Sequence, residues 1–223
     1  MTLIRTEKIM KTFYQGEIAV HALQGIDLVI EKGEFTALVG PSASGKTTLL
    51  NIIGALDRQT SGEIFVGKQN LKELNSTQLS DFRLHNIGFV FQAYNLIPVL
   101  TALENVEYIL MISGVNKNKR LEKSRSILSD VGLSDVMDRF PGQLSGGQQQ
   151  RVAVARALVS EPEIVLADEP TANLDSENAD MLLQIMKKMC EDKKTTFLFS
   201  THDTRVMDMA RRLVKLRDGK IVE

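Results

Sequence analysis

The chain has 223 residues, 43% hydrophobic and 25% charged, the make-up of a globular domain with enough apolar material for a sizeable core. Its 27 lysines and arginines balance 28 aspartates and glutamates, and the net charge of −1 excludes a generally basic, nucleic-acid-coating surface. The single cysteine, Cys190, excludes an internal disulfide framework and fits a reducing compartment, and no apolar run approaches the ~20 residues of a membrane span. The first residues, MTLIRTEKIMKTF, carry charges where a secretion signal needs its apolar centre. A cytosolic protein is expected, with any membrane role exerted through a partner.

The first forty or so residues read as strands, among them 26–30 and a short apolar run at 35–39 that ends at Gly40. A helix is expected from 46 to about 56, and further strands at 63–66 and 87–91. From about 100 to 158 the pattern turns helical. Leu121, Ile127, Leu128 and Val131 share one face there, with Gly132 as a C-cap. The basic run 117–125 reads as a solvated helix start. A buried strand follows at 164–167, a helix at 176–189 with Ser176 as N-cap, and another buried strand at 195–200. Residues 213–222 read as a hairpin turned at Asp218 and Gly219. Strands alternating with helices predict a parallel α/β sheet with ligand sites at its strand ends. The helical middle is a second lobe in the same chain.

Three segments carry chemistry. Gly40-Pro41-Ser42-Ala43-Ser44-Gly45-Lys46-Thr47 fits G-x-x-x-x-G-K-[ST] between a strand and a helix. Glycines let the backbone turn its N–H groups inward, and the helix presents its positive end to a phosphate. Lys46 is placed to reach the β- and γ-phosphates and the Thr47 hydroxyl to ligate Mg²⁺. The strand at 164–167 runs into Asp168 and Glu169, a ligand for a hard divalent ion and a base for an attacking water. Leu144-Ser145-Gly146-Gly147-Gln148 opens another helix with small residues, a second anion-binding helix start. The two anion sites either converge on one nucleotide or each meet a nucleotide bound elsewhere, and the residues alone do not choose.

Taken together, the motifs resemble the nucleotide-binding subunit of an ATP-binding cassette (ABC) transporter. Gly40 to Thr47 matches Walker A, Asp168 with Glu169 ends a Walker B, and Leu144 to Gln148 reads LSGGQ, the family signature. Gln92 matches the Q-loop glutamine, Leu174-Asp175 the D-loop and His202 the switch histidine. The order is that of the family and covers essentially the whole chain. The resemblance implies one nucleotide-binding domain over 1–223, with a P-loop core at about 1–92 and 158–223 and a helical subdomain at about 93–157. It also implies a mixed sheet with antiparallel N-terminal strands. ATP and Mg²⁺ are the implied ligands. Residues 40–48, Thr48 included, would hold the phosphates, and Thr47, Gln92 and Asp168 the metal. Glu169 would polarise water and His202 contact the γ-phosphate.

The resemblance further implies a head-to-tail dimer. The phosphate loop of one subunit would face Ser145, Gly146, Gly147 and Gln148 of the other, and Asp175 would link the two sites. Adenine would stack on Phe13, with Tyr14 as the alternative. Two departures from the family pattern stand out. Ala43 occupies a position where Gly is usual, and is strained if that position needs positive φ. The D-loop begins at Ala172 rather than Ser or Gly. Residues 88–106 resemble the branch serving lipoprotein release, macrolide export and FtsE-like cell-division complexes. That branch implies a membrane permease with few helices and a large extracytoplasmic domain, reached from the cytoplasmic face of the cell membrane. The apolar segment 94–100 is a candidate contact for it. An FtsE-like regulator that moves no substrate, or a soluble ABC ATPase, is the alternative. A GTPase is not expected, since the one near match to N-K-x-D, Asn116-Lys117-Asn118-Lys119, lacks the Asp that reads guanine.

Overall fold

Alternating apolar residues build the first element of the computed structural model, which describes residues 1–222. β1 (Thr2–Gln15) turns at Gly16 and pairs antiparallel with β2 (Ile18–Glu31). Leu23, Ile26, Leu28 and Ile30 are buried while Asp27 and Val29 between them are exposed, the period of two that one buried face imposes. β3 (Phe35–Val39) is buried at every residue, and α1 (Lys46–Ile53) follows the loop after it. α1 ends at Ile53, three residues before the expected end. β4 (Ser61–Val66) pairs with the free side of β1, and β5 (Gln69–Asn70) completes an antiparallel sheet of order β2-β1-β4-β5. α2 (Ser76–Asn86), which the apolar pattern did not announce, carries the chain onward; Leu79 is its one buried residue.

Backbone contacts divide the chain into two compact units, Met1–Arg83 together with the chain from Thr196 onward, and Leu84–Thr195. The second unit begins with β6 (Ile87–Val90), then α3 (Ala102–Ile112), α4 (Lys117–Asp130) and α5 (Gly146–Leu158). β7 (Ile164–Asp168) returns parallel to β6, in register from Ile87↔Ile164 to Val90↔Ala167. A Cβ at Gly88 would come within 2.3 Å of Ala157 O, so β6 lies against α5 at a distance only glycine permits. α3 starts in a capping box, Thr101 accepting from Glu104 N and Glu104 accepting from Thr101 N. α4 starts after its cap Asn116 and ends at the C-cap Val131, one residue before the expected Gly132, where the chain turns with φ 70°; Ile127, Leu128 and Val131 are buried as the pattern required, and Leu121 is half-buried. α6 (Ser176–Lys193) is capped by Asp175, not Ser176: Asp175 Oδ1 accepts from Asn178 N at 2.9 Å. The carboxylate is set one residue earlier and reaches the N3 amide; Ser176 is the first helical residue. Cys190 is buried on this helix.

The chain then re-enters the first unit. β8 (Thr196–Thr201) lies parallel to β3, Phe35↔Phe197 through Val39↔Thr201. α7 (Thr204–Met209) leads to β9 (Arg212–Arg217), parallel to the other side of β3, and β10 (Lys220–Val222) folds back on β9 through Asp218 and Gly219. Phe35, Phe197 and Phe199 fill the core between them, with ring centroids 4.5 to 5.9 Å apart. Among the described residues, no helix is long and apolar enough to cross a membrane.

The α3 capping box gives a direct stability test. Thr101→Ala is expected to lower the unfolding free energy by about 1 kcal/mol, read as a lower urea midpoint at unchanged slope.

Candidate functional site

In the first unit the parallel register decides where the chemistry sits. β3 and β8 end together at Val39 and Thr201, so the phosphate loop and His202 leave the sheet from the same end. Gly40 passes so near β9 that a Cβ there would lie 2.1 Å from Leu216 O. Gly45, at φ 104°, caps α1 with no side-chain hydrogen bond, and its Cβ would lie 2.6 Å from Ala22 O. The first turn of α1 has no acidic residue, so nothing of its own neutralises the positive end of the helix dipole. Lys46, buried at the base, donates from Nζ to Gly40 O (2.8 Å) and Pro41 O (2.9 Å), which holds the ammonium against the loop. The Ser44 hydroxyl is buried without a hydrogen-bond partner, while Pro41, Ser42, Ala43 and Thr47 are exposed and Thr48 half-buried. These groups form a cradle of donors that a polyanion fits: a helix N-terminus, an ammonium and hydroxyls. Ala43 has φ 61°, so the residue in the usual glycine position does adopt the left-handed backbone.

His202 is exposed, directly after the last residue of β8. Asp203 beyond it caps α7 and takes a bidentate grip from Arg205, which fixes the turn. On the β1–β2 hairpin Phe13 pairs with Val20 and Tyr14 with Ala19, so their side chains point to opposite faces. Phe13 is 42% exposed, with Lys11 Nζ 4.7 Å from its ring centroid; Tyr14 is 72% exposed. Tyr14 is thus the more open ring, while Phe13 carries the Lys11 ammonium over one face.

The second unit collects the other motifs by the same logic. The β6–β7 register stops at Val90 and Ala167, so Gln92 lies just past one strand end and Asp168, the last residue of β7, stands with Glu169 at the other. Gln92 is exposed and both acids are half-buried, Glu169 at φ 46°. Asn173 Nδ2 donates to Gln92 O at 2.9 Å, which ties the turn before Asp175 to the Gln92 segment. Ser145 caps α5 in a second capping box: its Oγ accepts from Gln148 N, and Gln148 Oε1 accepts from Ser145 N at 2.9 Å. Gly146 sits where a Cβ would meet the Tyr94 hydroxyl at 2.9 Å, and Gly147 where it would meet Asn178 Oδ1 at 2.3 Å. A side chain at Gly147 would displace the Asn178 amide, and one at Gly146 would need only a small shift of the Tyr94 hydroxyl. Hydrogen bonds from Asn178 hold the Asp175 carboxyl below the usual aspartate range.

Three side chains of this cluster have no motif to announce them. Arg156 on α5 donates to Tyr94 O (2.8 Å) and Asn95 O, and burial pulls its guanidinium below the ordinary arginine range. Asn105 is buried and makes four bonds to the backbone of Ile97, Leu100 and Thr101. These anchors hold residues 94–100 on the surface: none of the seven is buried, and Val99 is 76% exposed. The third is Gln150, fully buried on the apolar face of α5. Its signal in the sequence is a polar residue one helical turn before the buried pair Ala153 and Val154.

The sequence model of the ABC transporter family matches residues 23–172, more than half of the chain. The chain belongs to that family. It is 43% identical over 223 residues to the ABC transporter ATP-binding protein MJ0796 of Methanocaldococcus jannaschii, covering 98% of this chain and 95% of that protein. It is 44% identical over 220 residues to the macrolide export ATP-binding/permease protein MacB of Hyphomonas neptunium. That match covers 99% of this chain but 34% of MacB, so the chain spans about a third of such relatives. Among solved structures, the dimeric post-hydrolysis state of MJ0796 bound to ADP and Pi superposes with a TM-score of 0.92 at 41% identity, covering 99% of this chain and 97% of that one. The fold is thus that of an ABC ATP-binding domain, a family of ATPases.

In this ABC domain the strain at Ala43 is open to measurement. Ala43→Gly should raise the urea midpoint, by up to about 1 kcal/mol in unfolding free energy, because glycine adopts that backbone without steric cost.

Proposed function

We propose that the domain hydrolyses ATP in a head-to-tail dimer of itself and drives a membrane permease from the cytoplasmic face of the cell membrane. The observation that carries this reading is the placement of every family motif residue at a strand end or helix start within its own unit. Residues 40–48 bind the triphosphate through backbone N–H groups and Lys46, and Phe13 stacks on adenine. Thr47, Gln92 and Asp168 would hold Mg²⁺; a hydroxyl, an amide carbonyl and a carboxylate are the oxygen donors that a hard cation takes. When bound, the ion would neutralise phosphate charge during the transfer. Glu169 accepts the proton of the water whose oxygen bonds to the γ-phosphorus as the bond to the bridging oxygen breaks. His202 holds the γ-phosphate in line. In the dimer Ser145, Gly146, Gly147 and Gln148 face the partner copy's triphosphate, and Asp175 runs between the two sites.

The organisation into a P-loop core and a helical subdomain belongs to the same proposal, with 93–157 as the lobe that meets the permease. The exposed segment 94–100, next to Gln92, supports that contact. The permease is expected to have few membrane helices and a large extracytoplasmic domain. The combined ATP-binding/permease name of MacB supports a membrane partner, and the dimeric form of MJ0796 supports the dimer.

Glu169→Gln tests the base. Turnover should fall by about 100-fold or more while ATP binding persists, since a positioned base contributes on the order of 10²–10⁴ in rate. Normal turnover would remove Glu169 from that role. Ser145→Arg tests the arrangement in trans: hydrolysis should lose its cooperativity while ATP binding is kept. Loss of binding instead would place the signature beside its own phosphate loop.

A further inference from the structure

Beyond Val90↔Ala167 the β6–β7 ladder stops, and the two chains that carry Gln92 and Glu169 continue without a backbone rung between them. A side chain spans them instead. Gln150, with no exposed surface, donates from Nε2 to Pro170 O at 2.8 Å and, over a longer 3.4 Å, to Phe91 O. Phe91 immediately precedes Gln92, and Pro170 immediately follows Glu169. Gln150 Oε1 is buried with no hydrogen-bond partner. An apolar side chain of the same shape would not carry that desolvation cost, so packing alone does not account for an amide here. Further along α5, Arg156 grips Tyr94 O and Asn95 O, whose residues have φ of 55° and 51°. Asn173 holds Gln92 O itself. The segment around Gln92 is therefore held by three side chains, and among them the Gln150 amide is the one that, from a third element, bonds carbonyls on both sides, Phe91 O before Gln92 and Pro170 O after Glu169.

We propose that Gln150 is a positioning residue for hydrolysis: its amide replaces the missing rung between β6 and β7, sets the spacing of Gln92 and Glu169, and acts through Gln92. This rests on the role given to Gln92 above. Because Gln150 lies on the helix opened by Ser145, a change at that helix start reaches Gln92 through one rigid element.

A double-mutant cycle on the full chain tests it, at a temperature where circular dichroism shows every variant folded. Gln150→Met keeps the length and volume of the side chain and removes both donations. It should lower the kcat of ATP hydrolysis about tenfold with KM for ATP within twofold, because an orienting interaction that acts only in the transition state is expressed in kcat. Combined with Gln92→Ala, it should change kcat by less than twofold relative to Gln92→Ala alone. Equal factors in both backgrounds, or a full kcat for Gln150→Met beside a slow Gln92→Ala, overturn the proposal while leaving Gln92 its role. A full kcat for Gln92→Ala removes that role, and the proposal with it. If Gln150→Met does not fold, Gln150→Glu, isosteric and without the amide donors, goes through the same cycle. Failure of both to fold makes Gln150 a stability residue and overturns the proposal.

Discussion

Parallel pairing is the constraint from which the rest follows. Strands that run the same way must end at the same edge, and whatever leaves them there is gathered without further design. The register of β3 with β8 gathers the phosphate loop and His202, and that of β6 with β7 gathers Gln92, Asp168 and Glu169. The cost is that parallel strands need long crossovers. The helices between β6 and β7 meet that need and also supply the helix opened by Ser145. Chemistry and connectivity thus share one cause.

α5 shows how a helix can serve both packing and positioning. Val152, Ala153, Val154 and Ala155 are all buried, so nearly every side of the helix is covered at that level and its axis is fixed in the second unit. Once the axis is fixed, the polar residues that flank this turn have fixed targets: Gln150 at the strand ends, Arg156 at Tyr94 and Asn95. Tyr94 and Asn95 both adopt left-handed backbone, a conformation that needs outside support, and Arg156 supplies it to both carbonyls. The capping box at Ser145 and Gln148 closes the helix start and holds rigid the amides proposed to face the partner copy's triphosphate.

Much of the proposed site was legible because its residue types are dictated by close approach and charge. Gly40 and Gly45 stand where a Cβ would strike a backbone carbonyl, and Lys46 and Asp168 are the residue types that a phosphate and a metal would call for; such positions leave a pattern in the letters. The apolar strands at 35–39 and 164–167 were legible for the same reason, since full burial tolerates few polar residues. What escaped was set by tertiary partners. α2 has one buried residue and hence no apolar period to read. The cap of α6 went to Asp175 over Ser176 because the carboxylate, one residue earlier, reaches the N3 amide. Gln150, Arg156 and Asn105 act on backbone carbonyls of other segments, and a carbonyl has no letter of its own.

The walls of the phosphate loop come from distant parts of the chain. Ala22 and Leu23 press on Gly45, Leu216 O on Gly40, and Gly219 N donates to Ser44 O while Gly219 O accepts from Gln24 N. The loop itself is made early in translation, but its last wall is not. At ~5–20 residues per second, the ribosome needs on the order of ten seconds or more to travel from the loop to residue 219. During that interval the nascent chain carries the residues of a nucleotide site without its shape. The loop therefore takes its full shape only once residue 219 has been made and packed.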